Sequence, residues 1–285
     1  MKLCLLTYNM ARHWELSELI KVARLGGFSG LELRAEAGHK HGVELETGAE
    51  ERQAIRYQVQ DACLEVAGIS TSSRFDTPDA TKRREVVERS KRYIELAADL
   101  DAGQIRVFGN DMPKEGVDGG PPPPREDVMR YVGDSLRELG EFAEPHGVNV
   151  MLEMHGQFNF WHFAMTAVEH ADHPQVGILY NCDNRDLVGG SVASTYNRVA
   201  HHIGHVHMHD FVNGFPYAEL FGLLQRDGYD GYLSSEIGKT EPTHEDYFLM
   251  YAQLFRAWNG LAAAAGESAL PYYAAAAGTV ATAAD

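Results

Sequence analysis

Eight short apolar segments recur along the chain at the pace of one β-α unit each. Lys2 to Asn9, Phe28 to Arg34, Leu64 to Thr71, Gln104 to Gly109, Val148 to Glu153, Gln175 to Asp183, Ile203 to Asp210 and Gly231 to Glu236 read as strands. Amphipathic helices are predicted at Trp14 to Leu25, Glu50 to Ala62, Ala80 to Leu100, Arg125 to Glu144 and His244 to Trp258. Strict alternation dictates an α/β protein with a parallel sheet, and eight units in about 250 residues match a closed (β/α)8 TIM barrel. The competing open, doubly wound sheet would carry a glycine-rich phosphate loop after its first strand. Tyr8-Asn9-Met10-Ala11-Arg12 holds no glycine. The expected organisation is one barrel domain over residues 1–260 with an Ala-rich C-terminal extension over 261–285. Asn110 to Pro124, with four consecutive prolines, reads as a stiff flap near the exit of the fourth strand or as a surface insertion without a role.

Chemistry concentrates at the strand ends. In Ile203 to Asp210 every second residue, His205, His207 and His209, falls on one face, with Val206 and Met208 on the other. Alone, such a row suits a solvated polar strand as well as a metal or catalytic site. A barrel brings the C-terminal ends of its strands to one place, and the last four strands end in Glu153, Asp183, His207 and Glu236, spaced by 30, 24 and 29 residues. Three carboxylates brought together repel unless protonated or neutralised by a cation. Three oxygen donors and one nitrogen, without a thiolate, favour one divalent Mn2+, Mg2+ or Co2+ over a structural zinc.

Met151-Leu152-Glu153-Met154-His155-Gly156, Tyr180-Asn181-Cys182-Asp183, the histidine row and Gly228 to Glu236 together resemble the xylose isomerase-like TIM barrel superfamily of sugar (phosphate) isomerases and epimerases, over nearly all of the chain to about Trp258. The resemblance implies that Glu153, Asp183, His207 and Glu236 hold one divalent metal, commonly manganese, and that Glu153 and Glu236 are the acid/base pair. A metal chelating a carbonyl and the adjacent hydroxyl would acidify the C–H between them and stabilise an enediolate. The implied activity is isomerisation or epimerisation of a sugar or keto-sugar by proton transfer. Two usual epimerase anchors are replaced or missing: Asp186 stands where a histidine is usual, and Phe211 to Leu220 offers no arginine. A lyase or dehydratase of the same superfamily, for example one eliminating from 3-keto-glycosides, is therefore the alternative; a non-catalytic binding subunit and an abasic-site endonuclease rank lower. Candidate substrate-binding residues are His155, Gln157, His209, Arg34 and Asp186, with His209 in the place of a substrate-binding lysine. Glu32 is expected to point into the barrel, because Leu31 and Leu33 flank it.

Charge narrows the partners. Twenty-five basic residues against 41 acidic ones leave a net charge of −16, which repels nucleic acid and anionic membranes. The three cysteines, Cys4, Cys63 and Cys182, form no C-x-x-C pair and suit a reducing compartment. With no signal peptide and no run of about 20 apolar residues, a cytoplasmic location is expected. The expected partner is a small sugar or keto-sugar; homo-oligomerisation, seen in many members of the superfamily, is left open.

Overall fold

In the computed structural model, which describes residues 1–238 and 245–268, eight strands form the centre of the molecule. They are β1 (Lys2–Leu6), β2 (Gly30–Arg34), β3 (Glu65–Arg74), β4 (Gln104–Phe108), β5 (Asn149–Glu153), β6 (Val176–Asn181), β7 (Ile203–Met208) and β8 (Tyr232–Ser235). Each pairs in parallel with its successor, and β8 returns to β1 through Lys2 opposite Tyr232 and Leu5 opposite Ser235. The sheet is thus the expected closed (β/α)8 barrel. The helices around it are α1 (Leu16–Gly26), α2 (Ala49–Asp61), α3 (Ala80–Asp99), α4 (Arg125–Ala143), α5 (Trp161–Ala171), α6 (Ala193–Val199), α7 (Tyr217–Arg226) and α8 (Glu245–Ser268). Among the described residues no helix is long and apolar enough to cross a membrane. His244, the expected start of the last helix, and residues 269–285 of the expected extension lie outside the described residues.

The alternation of side chains along the strands explains both surfaces of the barrel wall. Leu31, Leu33, Ile105, Val107, Val150, Leu152, Ile178, Val206 and Leu233 are all 0% exposed and belong to the apolar core shared with the helices. The residues between them are unusual for a barrel interior, which bulky aliphatics normally fill. Glu32, Ser70, Arg106, Glu153, Asn181, His205, His207 and Ser234 are buried and hydrogen-bond to one another across the lumen. At the opposite end Met151 fills the space that two glycines leave. A Cβ on Gly204 would stand 2.6 Å from its Cε, and one on Gly177 would stand 3.0 Å from its Sδ.

Strand register sets the height of the polar layer. Phe108 lies opposite Glu153, Asn181 opposite His207, and His207 opposite Ser234. Several strands stop earlier than their sequence patterns suggest. β6 ends at Asn181 and β7 at Met208, so Asp183, His209 and Asp210 occupy loops at the C-terminal face. There their positions depend on loop hydrogen bonds, because no ladder holds them.

Candidate metal and proton-transfer site

His207, near the end of β7, is the hub. Its ring is 0% exposed; Nε2 lies 2.9 Å from Glu32 Oε1 and 3.1 Å from Oε2, a geometry in which Nε2–H donates to the carboxylate. That bond turns the lone pair of Nδ1 toward the mouth of the barrel. Glu32 is fixed by two further contacts: Ser70 Oγ donates to it and His205 Nε2 lies 2.8 Å from its Oε2, while the same His205 nitrogen is 2.7 Å from Ser234 Oγ. Burial works against its charge, but His207 and His205 outweigh it and hold Glu32 well below the usual carboxylate range.

On the other side of the ring, Nδ1 lies 3.8 Å from Glu153 Oε1 and 3.6 Å from Glu236 Oε2. Among the described residues, His207 Nδ1 and Glu236 Oε2 are both buried without a hydrogen-bond partner. Two unsatisfied ligand atoms beside a second carboxylate, that of Glu153, fit a cation: an ion with ligand bonds of about 2.0–2.2 Å can bridge such gaps. Electrostatics agree. Burial favours a neutral imidazole, yet the negative charges of Glu32, Glu153 and Glu236 raise the affinity of His207 for a proton far above normal. The position therefore stabilises positive charge, which a divalent ion supplies as well as a proton does.

The two glutamates differ. Glu153 is 0% exposed and receives hydrogen bonds at both oxygens, from Arg106 Nη1 at 2.6 Å and from Asn181 Nδ2 at 3.0 Å. Burial opposes its ionisation, but Arg106 and His207 prevail and hold its carboxyl at about 2. Glu236 is 8% exposed and has two imidazoles as neighbours, His207 Nδ1 and His209 Nδ1, each 3.6 Å from its Oε2.

Of the four expected metal ligands, Glu153, His207 and Glu236 lie within one cluster, their donor atoms all within 4.8 Å of one another. Asp183 stands outside it. Its carboxylate turns back onto the loop after β6 and accepts from Arg185 at the backbone N (2.8 Å), Nε (2.9 Å) and Nη2 (2.6 Å). The expected substrate contacts scatter more widely. His209 lies at the rim, 33% exposed in its side chain and beside Glu236. His155 is exposed and bonds through Nδ1 to Asn110 Oδ1 at 2.6 Å, while the backbone N of Gln157 donates to Asn110 O, also at 2.6 Å. The loop after β4 thus clasps the loop after β5. Arg34 is half-buried, its guanidinium bonded to the carbonyls of Ala35 and Ser70 and to Ser72 Oγ at 2.6 Å. Asp186 is 4% exposed and accepts from Asn159 Nδ2 at 2.7 Å. Burial and the charge of Asp183 push its carboxyl up to about 8.

Arg106, Asn181 and Tyr8 are site residues that the sequence reading passed over. The charges of Glu236, Arg106 and Glu153 all reach the Tyr8 phenol, which burial and these carboxylates push up. The available signal was an arginine at the centre of Gln104-Ile105-Arg106-Val107-Phe108, on the same face as Gln104 and Phe108, where an interior position needs a buried anion.

His39 and His41 support the site from behind. Val43 N–H donates to His41 Nδ1 at 3.1 Å, so Nε2 carries the proton toward Thr7 Oγ1 at 3.2 Å, and Thr7 Oγ1 accepts from Arg34 N at 2.8 Å. Burial lowers both imidazoles to about 4. Native His39 and His41 stay neutral where unfolded histidines, with an unperturbed value of about 6.5, take up protons. Their contribution to stability is complete above pH ~6.5 and drains away as the pH falls toward ~4. Between pH 7.5 and 4.5 the wild type should lose about 2–3 kcal/mol per histidine, roughly 5 kcal/mol for the pair, relative to a variant lacking both imidazoles, as read by urea unfolding. A His39→Gln/His41→Gln double variant that keeps the full slope would remove this explanation.

Comparison with known proteins places these features. A family model described as xylose isomerase-like TIM barrel matches residues 19–256. The chain is 23% identical over 265 residues to an inosose isomerase of Halalkalibacterium halodurans, covering 85% of this chain and 89% of that protein. It is 26% identical over 170 residues to a 2-oxo-tetronate isomerase of Pectobacterium atrosepticum, covering 53% and 65% respectively. Among solved structures, an L-ribulose 3-epimerase superposes with a TM-score of 0.73 at 18% identity, covering 99% of each chain.

Proposed function

The chain belongs to the xylose isomerase-like TIM barrel family, and on that premise we propose that it is a divalent-metal-dependent isomerase or epimerase of a sugar or keto-sugar, acting by proton transfer at the carbon beside a carbonyl. The observation that carries this reading is the pair of buried, unpartnered atoms, His207 Nδ1 and Glu236 Oε2, facing Glu153 at the barrel mouth. Glu153, His207 and Glu236 would hold the cation, and Asp183 is the fourth donor that the sequence pattern offers. Manganese suits three oxygens and one imidazole, as do magnesium and cobalt. When bound, such an ion draws electron density from a carbonyl and its neighbouring hydroxyl and so acidifies the C–H between them.

The protein's own groups do the rest. Glu32 fixes the orientation of His207, and Arg106 fixes that of Glu153. Glu236, without a competing donor among the described residues, takes the proton. His209 stands at the rim beside Glu236, and His155 and Gln157, on the loop after β5, would offer further partners to the hydroxyl groups of a polyol. The names of the related proteins, an inosose isomerase and a 2-oxo-tetronate isomerase, support a carbonyl compound rich in hydroxyl groups as substrate.

Two measurements test this. Elemental analysis after purification with manganese present should find about one divalent ion per chain, and its removal by a chelator should lower Tm. In D2O the protein should place deuterium beside the carbonyl in at least one member of a panel of ketoses, inososes and 2-oxo sugar acids. An unsaturated product would assign elimination instead. Absence of both metal and exchange would refute the proposal.

A further inference from the structure

We infer that Arg34, at the end of β2, anchors an anionic group of the substrate, a carboxylate or a phosphate carried by the keto-polyol away from its reacting carbonyl. This rests on the proton-transfer reading above and adds the charge of the substrate. Alternation puts Arg34 on the lumen face with Glu32, nearer the mouth. Register carries the same layer around the wall, with Arg34 opposite Ser70 and Ser70 opposite Arg106. Guanidiniums therefore stand on both β2 and β4, but only that of β4 has a counter-ion. Arg106 pairs with Glu153 at 2.6 Å. Among the described residues Arg34 bonds only neutral groups, the carbonyls of Ala35 and Ser70 through Nη1 and the Ser72 hydroxyl through Nη2. The acids beside it are engaged elsewhere. Glu36 pairs with Arg89 Nε at 3.1 Å and accepts from Ser72 N, while both oxygens of Glu44 accept from Glu36 N.

Those bonds leave Nε–H and one Nη2–H of Arg34 without an acceptor among the described residues. Adjacent nitrogens of the planar fork suit the paired oxygens of a carboxylate or a phosphate. Electrostatics point the same way. Burial and the charge of Arg106 hold the Arg34 guanidinium down at about 10, against the opposing pull of Glu36, Glu153 and Glu44. A half-buried cation with no paired anion is unfavourable, and an anion brought by the substrate relieves it. The anchor also faces the reacting groups. Burial and the charges of Glu236, Arg106, Glu153 and Arg34 all act on the Tyr8 phenol, so one ligand can span Arg34 and Glu236. Outside the lumen, Arg12 and Lys40 are exposed on the loops after β1 and β2, which the bond from Lys40 N to Arg12 O at 3.0 Å joins. They give a chain of net charge −16 a cationic lip at this corner, which draws an anion past the acidic surface.

The test has a binding arm and an exchange arm, both on protein purified with manganese present. Calorimetry at low salt compares sorbitol, gluconate and sorbitol 6-phosphate, polyols without a carbonyl that can react. At least one of the two anions should bind about tenfold or more tighter than sorbitol. Arg34→Gln should remove most of that advantage, and Arg34→Lys, a point charge without the fork, should keep part of it. Gluconate ahead assigns a carboxylate, and sorbitol 6-phosphate ahead a phosphate. Equal affinity for all three polyols overturns the inference. So does an advantage that folded Arg34→Gln and Arg34→Lys both keep in full, which places the anion on another group such as the metal. If circular dichroism shows that Arg34→Gln does not fold, Arg34→Lys and the wild-type comparison decide. The exchange arm follows solvent deuterium entering fructose, fructose 6-phosphate and 2-keto-gluconate, where a charged ketose should show about tenfold or greater kcat/KM over fructose, mostly through KM. Exchange without preference for charge, together with equal binding, removes the anchor and leaves the proton-transfer reading standing. Binding of an anion that depends on Arg34, without exchange in any ketose, keeps the anchor and counts against the proton-transfer reading.

Discussion

Glu236→Gln should lower turnover by about 10²–10⁴-fold while leaving the thermal midpoint unchanged or slightly higher. The side chain keeps its shape and loses its basicity. Stability is spared because, among the described residues, Glu236 Oε2 accepts no hydrogen bond and its neighbours are imidazoles at 3.6 Å, so no strong bond is lost. Glu153→Gln should behave differently. It removes the anion that pairs with Arg106 at 2.6 Å inside the barrel, and stranding one member of a buried pair costs about 3–5 kcal/mol. Two glutamates that look equivalent in sequence therefore separate in paired experiments: one variant folds normally and is inactive, the other unfolds early. Steady-state kinetics on whichever substrate the exchange panel identifies, together with urea melts of both variants, check this. Full activity in Glu236→Gln would remove it as the base; equal stability of the two variants would show that the Arg106 pair contributes little.

The barrel was legible because eight repetitions of one pattern leave few alternatives, and the strand ends were legible because acidic and imidazole groups at one strand spacing stand out against apolar runs. The interior was harder to read. Arg106 sits in an otherwise unremarkable strand, and its meaning depends on Glu153 lying 47 positions away in the chain. Asn181 lies within a recognised motif, but its contact with Glu153 arises from the stagger that sets β6 against β5 and β7. Asp183 marks another limit: spacing puts it at a strand end, whereas its side-chain direction is set by Arg185 two residues later, through a turn that strand periodicity does not describe. Alternation puts His205 on the same face as His207, and in the barrel interior it bonds Glu32 and Ser234.

Glu32 makes the strongest case that this interior is built around the site. It touches no surface, yet Ser70, His205 and His207 all direct polar hydrogens or ring nitrogens at it. Glu32→Ala removes the group that selects the His207 tautomer, so Nδ1 no longer has its lone pair reliably turned toward Glu153 and Glu236. Metal affinity should fall about 10–100-fold, the usual effect of losing such an outer partner. The buried imidazoles also lose their counter-charge, so stability should fall by about 3–5 kcal/mol. Glu32→Gln restores a hydrogen-bond acceptor without the charge and should recover part of the stability. Its affinity should stay well below wild type, because a neutral amide holds the Nε2–H less firmly and lowers the basicity of Nδ1. Titration calorimetry with Mn2+ and urea unfolding of both variants measure the two quantities separately. Manganese affinity within twofold of wild type in Glu32→Gln, at reduced stability, would make Glu32 a structural carboxylate and leave the orientation of His207 to the packing around it.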